Sequence, residues 1–199
     1  MNTIVEVGAN RGTDTINFLS TSNSRVFAFE PTLELMLFMK NYLKHYPNYF
    51  PMPMAVDIEN GWKWFNIAGN EDWGCSSLHN FNPEIKEKWD RPDFKFTDRY
   101  RVPTIRLDTF METYGVTEID YLWIDTQGND FNVLQSLGDK IDLVKGGKCE
   151  CALNFSLYAD VDNSSNSIVP WLEKHGFKVN VVPDKLSGDR EADIFFTRD

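Results

Sequence analysis

The sequence predicts an α/β chain with a Rossmann-like, mostly parallel sheet, and three observations carry that prediction. Short β-branched or apolar runs alternate with stretches of helical period along most of the chain. The first strand runs straight into a glycine-containing turn, Gly8-Ala9-Asn10-Arg11-Gly12, that opens a helix. The last two strands have only a turn between them, so they pair antiparallel at one end of the sheet.

The elements follow in order. Thr3–Val7 is a buried strand, and Thr13–Ser20 a helix with Ile16, Phe18 and Leu19 apolar. Val26–Phe29 is the second strand; it ends at Glu30, and Pro31 opens the next helix, Leu33–Tyr46, with Leu33, Met36, Leu37, Met39 and Leu43 as its apolar positions. Phe50–Val56 is a third strand, placed at a sheet edge by Pro51 and Pro53, which lack N–H donors. Trp62–Ile67 alternates like a hairpin strand. Between about 68 and 100 the pattern dissolves into Gly, Asn, Asp and Pro mixed with Trp73, Trp89 and Phe94, as in loops that carry function. Tyr100–Arg106 resumes as a strand before a short helix at Leu107–Phe110. Tyr121–Ile124 is a buried strand ending at Asp125, and Phe131–Leu137 is helical. Cys149–Phe155 (strand), Ile168–His175 (helix), Phe177–Val182 and Ala192–Thr197 (strands) complete the chain.

Composition narrows the class. The 199 residues, 42% hydrophobic and 25% charged, suit one globular domain spanning 1–199. A net charge of −10 with no Lys/Arg cluster repels phosphate backbones, which excludes nucleic acid and anionic membranes as expected partners. No apolar run reaches the length of a membrane span, and the N-terminus has no basic region or cleavage site, so a cytoplasmic protein without a signal peptide is expected. Three cysteines, Cys75, Cys149 and Cys151, fit a reducing compartment rather than a disulfide framework.

The turn after the first strand departs from the dinucleotide fingerprint, because Asn10 stands where a second glycine would let a pyrophosphate approach. S-adenosylmethionine has no pyrophosphate and suits the turn. Glu30 ends the second strand beside that turn, where a carboxylate accepts hydrogen bonds from both ribose hydroxyls or caps the helix after Pro31.

With these features in place, the blocks Val5–Gly12, Phe27–Pro31, Ala55-Val56, Ser76-Ser77-Leu78, Leu107-Asp108 and Ile119–Asp125 resemble those of FkbM-type methyltransferases, in the right order over residues 4 to 137. The resemblance implies a class I methyltransferase fold, a seven-stranded sheet with its last strand antiparallel, S-adenosylmethionine as cofactor, and O-methylation of a hydroxyl on a sugar, glycan or small natural product. It implies that Glu6, Gly8, Ala9, Asn10 and Gly12 surround the methionine part of the cofactor. Glu30, with Pro31 beside it, would hold the ribose, and Ala55 and Val56 would flank the adenine. Asp57 either reaches the exocyclic amine or starts a turn. The family often has Lys-Ile-Asp-x-Glu-Gly in its fourth block; here Trp123 replaces the lysine and Gln127 the glutamate, and Asp130 either substitutes for that acid or caps the following helix.

Transfer to oxygen needs an aligned hydroxyl and a base. His79, in the irregular segment, and Asp125, at a strand end and able to bind cofactor or acceptor, are the two candidates. Trp73, Ser76, Ser77, His79 and Asp130 are the expected acceptor contacts. No metal is expected, although Asp125, Glu150 and Asn154 offer oxygen ligands suited to a divalent ion. The chain opens on its first strand, so a second copy in a homo-oligomer or a loop is expected to close the crevice. Two other readings remain open: a cofactor-binding module of this fold without transfer activity, and a nicotinamide-dependent oxidoreductase.

Overall fold

The computed structural model describes residues 1–21, 23–69, 73–88, 95–185 and 187–198, with backbone alone at 73 and 86. In chain order the first half contains β1 (Asn2–Val7), α1 (Thr13–Thr21), β2 (Ser24–Phe29), α2 (Leu33–Tyr42), β3 (Tyr49–Met52), β4 (Ala55–Val56), β5 (Gly61–Ile67) and α3 (Ile85–Lys88). The second half contains β6 (Asp98–Ile105), α4 (Leu107–Tyr114), β7 (Tyr121–Ile124), α5 (Asp130–Gln135), β8 (Gly146–Ala152), α6 (Ser165–Lys174), β9 (Lys178–Pro183) and β10 (Glu191–Thr197).

Seven strands form the main sheet in the order β3-β2-β1-β7-β8-β10-β9. Every strand is parallel to β1 except β10, which runs antiparallel to β8 and β9. The chain moves outward from β1 to β3, then returns to β7 on the other side of β1. This reversal opens a crevice beyond the ends of β1 and β7, where such sheets bind ligands. A smaller sheet, β4-β6-β5, stands beside that crevice.

Strand alternation decides what lies on each face. Val5, Val7, Phe27, Phe29, Leu122 and Ile124 pack with α4, α5 and α6 in one large core. Ile4, Val26 and Ala28 point the other way and meet Leu19 of α1 and Met39 of α2. Phe110 of α4 stands edge-on to both Phe27 and Phe29, with ring centroids 5.1 and 5.0 Å away. Beyond α1, the second face carries Tyr121, Trp123, Lys148, Glu150 and Asp193, which are half-buried. There Lys148 Nζ lies 4.6 Å from the centre of the Trp123 ring and 2.8 Å from Asp193 Oδ1.

The predicted elements are present, with four shifts. The helix expected to reach Tyr46 ends at Tyr42, since Pro47 disfavours helical backbone just before it. Leu33 and Leu37, expected in the core, are 60% and 57% exposed, because Leu35, Met36, Met39 and Leu43 already fill the buried face of α2. The expected strand 50–56 is broken at Pro53 into β3, at the sheet edge as expected, and β4 in the small sheet. The strand expected at 149–155 lies at 146–152. Gly146 and Gly147 belong to it because a Cβ at either would come within 2.7 Å of the Phe196 carbonyl or 2.1 Å of the Leu122 carbonyl. Among the described residues no helix is long and apolar enough to cross a membrane.

Phe110→Ala is expected to cost about 3–5 kcal/mol of stability, read as a lower urea midpoint at unchanged slope.

Candidate functional site

The crevice begins with the turn after β1. The N–H groups of Gly8 and Ala9 both donate to the Phe29 carbonyl, at 3.0 and 2.9 Å, so the turn is fastened to the end of β2. Gly8 has φ +92°, and a Cβ there would stand 1.8 Å from the Asp125 carbonyl oxygen. Only glycine lets the ends of β1 and β7 come this close. Asn10 follows at φ +49°, in the left-handed region that asparagine tolerates.

A cleft opens from this turn toward the small sheet. Part of its wall is apolar, with Leu35, Met54, Ala55, Val56, Phe65 and Leu78. Another part is polar, with Gly8, Asn10, Glu30, Asp125, Gln127 and Asn129. A second hollow shares Gly8, Asn10, Gly74 and Asp125 with the cleft and adds Ala9, Arg11, Thr13 and Asp14.

Glu30 lines the cleft and is buried. Its Oε2 accepts from the Asn10 N–H at 2.9 Å and its Oε1 from the Thr32 N–H at 2.7 Å. Burial pushes its carboxyl up to about 7, against the lowering effect of those bonds. A carboxylate has roughly four acceptor sites, so each oxygen keeps capacity for a donor from the cleft. Bracing the helix entry and receiving two neighbouring hydroxyls are therefore compatible. Asn10 Oδ1 is buried without a hydrogen-bond partner, an acceptor at the rim of both spaces that lacks a donor.

Asp125 ends β7 and reaches both the cleft and the hollow. Burial raises its pKa, opposed by a hydrogen bond from Gln127 Nε2 to Oδ1 at 2.8 Å and by the charge of Lys148.

Several residues expected at the site stand behind its wall instead. Glu6 points away from the cleft by strand alternation and lies under α1, where the Thr15 hydroxyl donates to it at 2.6 Å; burial pushes it up to about 8. Gly12 faces Met39, 3.2 Å from where its Cβ would be, and serves the packing of α1 on α2. Asp57 is buried and paired with Lys63, with Asn129 Nδ2 at 3.4 Å, so it is not in the cleft wall. Asp130 is fully buried and bolts the turn after β7 to β8, accepting from the Thr126 hydroxyl at 2.7 Å and the Glu150 N–H at 2.9 Å. Burial pushes Asp130 up to about 6, with Asp125 adding to the rise. It opens α5 and does not replace the family's second acid in the cleft. Ser77 is buried and donates to the Gln127 carbonyl at 2.7 Å, whereas Ser76 lines the cleft and accepts from the Ala68 N–H. His79 is one step behind the wall: its Nε2 meets Asn129 Oδ1 at 2.8 Å, and Asn129 holds the Val56 carbonyl at 3.0 Å. Asn154 lies past the end of β8, exposed, and donates to the Asp189 carbonyl, so Asp125, Glu150 and Asn154 do not form one ligand set. Trp89 and the side chain of Trp73 lie outside the described residues.

Sequence reasoning missed Asn129 and Tyr158. Asn129 directly follows the glycine that closes the fourth block, Gly128, and that position is the signal that marks it; Tyr158 sits in a loop with no motif to mark it.

A parallel sheet with this strand order, a glycine turn at its switch point and an acid after the second strand defines the class I methyltransferases. A family model described as the methyltransferase FkbM domain matches residues 6–179, and this chain belongs to that family. No curated protein matches it. Among solved structures, an rRNA methylase from Streptococcus thermophilus aligns with a TM-score of 0.54 at 10% identity, covering 100% of this chain and 87% of that one. Aeropyrum pernix fibrillarin, solved with natively bound S-adenosyl-L-methionine, aligns at 0.53 and 11% identity, over 98% of this chain and 66% of the other. The N-terminal domain of EvdMO1, solved in the presence of SAH and D-fucose, aligns at 0.53 and 11%, over 99% and 76%.

The residues present fit S-adenosylmethionine. The apolar part of the cleft wall suits an adenine, Glu30 has capacity for the ribose hydroxyls, and the unpartnered Asn10 Oδ1 can accept from the amino group of the methionine end.

The buried acids also set a pH dependence. Glu6 and Glu30 hold protons more tightly in the fold, at about 8 and about 7, than at their ordinary 4.5. Between those limits the native state binds more protons than the unfolded chain, so stability falls as pH rises. Asp108 and Asp120, held below 3.8 by Arg106 and Lys145 despite burial, act only at lower pH. The cofactor-free protein is expected to unfold at lower urea at about pH 8.5 than at about pH 6, and Glu6→Gln to remove much of the difference.

Proposed function

We propose that this chain transfers a methyl group from S-adenosylmethionine to a hydroxyl oxygen of a sugar or similar polyhydroxy acceptor. The observation that carries this reading is the hollow next to the cofactor cleft. Among the described residues it is lined by Ala9, Asn10, Arg11, Thr13, Asp14 and Asp125 with two glycines, and it has no aromatic or large aliphatic side chain. Such a wall offers hydrogen bonds to a polyol and little to a flat apolar acceptor. The hollow shares Asp125 with the cleft, so the acceptor and the methionine end would meet at that carboxylate.

S-adenosylmethionine supplies an electrophilic methyl group, and the protein must align an oxygen with it and take its proton. Asp125 is the residue for that proton: burial raises its pKa, which makes its carboxylate a stronger base than a surface aspartate. His79, one residue behind the wall, would act on the site through Asn129. Ser76, which lines the cleft, would flank the acceptor.

An RNA acceptor fits poorly, although an rRNA methylase shares the fold. The net charge is −10, and Asp14 and Asp125 in the wall of the hollow would repel phosphates. The N-terminal domain of EvdMO1 was solved in the presence of SAH and D-fucose, which supports a sugar-type acceptor for this fold. None of Cys75, Cys149 and Cys151 forms a disulfide among the described residues, as a cytoplasmic setting would favour.

Calorimetric titration with S-adenosylmethionine and S-adenosylhomocysteine should give saturable binding, weakened at least about tenfold by Glu30→Ala through lost charge-assisted bonds. No binding by folded wild type would overturn the cofactor reading. In a screen with methyl-labelled cofactor, label is expected on the oxygen of a polyhydroxy compound and is expected to fall at least about 100-fold in Asp125→Asn; transfer only to nitrogen or to apolar acceptors would refute the acceptor class.

A further inference from the structure

The turn after β7 is held by residues that come from distant parts of the chain. Tyr158 is buried, and its ring occupies the space a side chain at 128 would need: a Cβ on Gly128 would lie 2.5 Å from it. The ring also stacks on Phe81, with centroids 5.5 Å apart. A phenylalanine would satisfy both packings, so the hydroxyl needs a separate account.

That hydroxyl lies 3.0 Å from Gln127 Oε1 and 2.9 Å from the Cys75 carbonyl. Both are acceptors, so one proton serves the two. The other end of the same amide donates from Gln127 Nε2 to Asp125 Oδ1 at 2.8 Å. Among the described residues this is the only hydrogen bond to the Asp125 side chain. The amide is thus held at both ends: turning it over would set Oε1 against a carboxylate. Gln127 itself has φ +56°, a backbone position that the Ser77 hydroxyl secures at its carbonyl.

We propose that Tyr158 is a positioning residue for methyl transfer, acting through the Gln127 amide to aim the Asp125 carboxylate and to tie it to the segment that carries Cys75. The catalytic part rests on the reading that Asp125 receives the acceptor proton. The need for such a fixture follows from the surroundings. Asp125 is faced by Asp14 of α1, Glu6 of β1, Glu150 of β8, Asp130 of α5, and Glu191 and Asp193 of β10, with Lys148 as the one cation among these groups. Lys148 is itself bonded to Asp193. Burial raises the pKa values of Glu6, Glu150, Glu191 and Asp130 as well, so these neighbours offer Asp125 no fixed cationic partner, and the Gln127 N–H is what gives its carboxylate one preferred orientation.

Tyr158→Phe tests this, because it keeps the ring and removes the hydroxyl. In nitrogen-15-labelled protein the Gln127 side-chain amide signals, identified by their loss in Gln127→Met, are expected to exchange with solvent about 5- to 10-fold faster in Tyr158→Phe, the loss of one hydrogen bond. S-adenosylhomocysteine affinity is expected to stay within about threefold, since the Tyr158 hydroxyl bonds neither Glu30 nor Asn10. With a methyl acceptor in hand, kcat should fall about tenfold at an unchanged KM for S-adenosylmethionine, and Tyr158→Phe should add nothing to Gln127→Met. If Tyr158→Phe does not fold, Gln127→Met alone must show the same kcat loss. Wild-type amide exchange in folded Tyr158→Phe, or fully additive losses in the double variant, would overturn the proposal while leaving cofactor binding intact. Failure of wild type to bind S-adenosylhomocysteine would instead strike the methyl-transfer reading and leave the amide measurement standing.

Discussion

The carbonyl of Asp125 and the Cα of Gly8 meet where the chain reverses direction in the sheet, and the remaining architecture of the site depends on that contact. A Cβ at Gly8 would overlap the carbonyl at 1.8 Å. With no side chain there, β1 and β7 stay paired to their last residues, Val7 with Ile124. The turn that follows then passes under the end of β2, and its N–H groups reach the Phe29 carbonyl. Glu30 comes next in the chain and is brought against the Asn10 N–H. One missing methyl group thus fixes the distance between the acid after β2 and the acid after β7.

The second constraint is that so many carboxylates are kept from water. Glu6, Glu30 and Asp130 are each buried, and each accepts hydrogen bonds from named neighbours: a threonine hydroxyl, two backbone N–H groups, or both kinds together. These bonds offset part of the cost of burial, which still raises all three carboxyls. Their roles divide by direction. Glu6 and Asp130 face away from the cleft and hold α1 and the β7–α5 turn in place, while Glu30 and Asp125 spend part of their bonding capacity on structure and keep part for a ligand.

Most of the fold was legible because it is written in local signals. Alternation and period gave the main-sheet strands, and the prolines gave β3 its edge position. What could not be read was direction. Nothing in Glu6 or Asp57 says on which side of a strand end the carboxylate falls, and a shift of one residue would exchange their roles. Glycine also hid a boundary: Gly146 and Gly147 fell outside the strand expected from Cys149, yet they are strand residues squeezed between β7 and β10. Within the site, the turn after β1, Glu30, Ala55, Val56 and Asp125 were legible from spacing and resemblance. Tyr158 was not, because its contribution is a contact with residue 127 across 31 positions of sequence.

The fourth block shows how substitutions travel together. The family often carries a lysine two residues before the aspartate and a glutamate two residues after it; here those places hold Trp123 and Gln127. One positive and one negative charge are absent together, so the local sum is conserved. The structure compensates each loss nearby: Lys148, paired with Trp123 across β7 and β8, lies over the indole ring, and Gln127 turns a donor toward Asp125. In evolutionary terms the two places are expected to behave as one epistatic unit. Restoring the glutamate alone would set two like charges side by side at the cleft, so a path between the two forms avoids that state by changing the glutamate first, or by recruiting Lys148 before the lysine is lost.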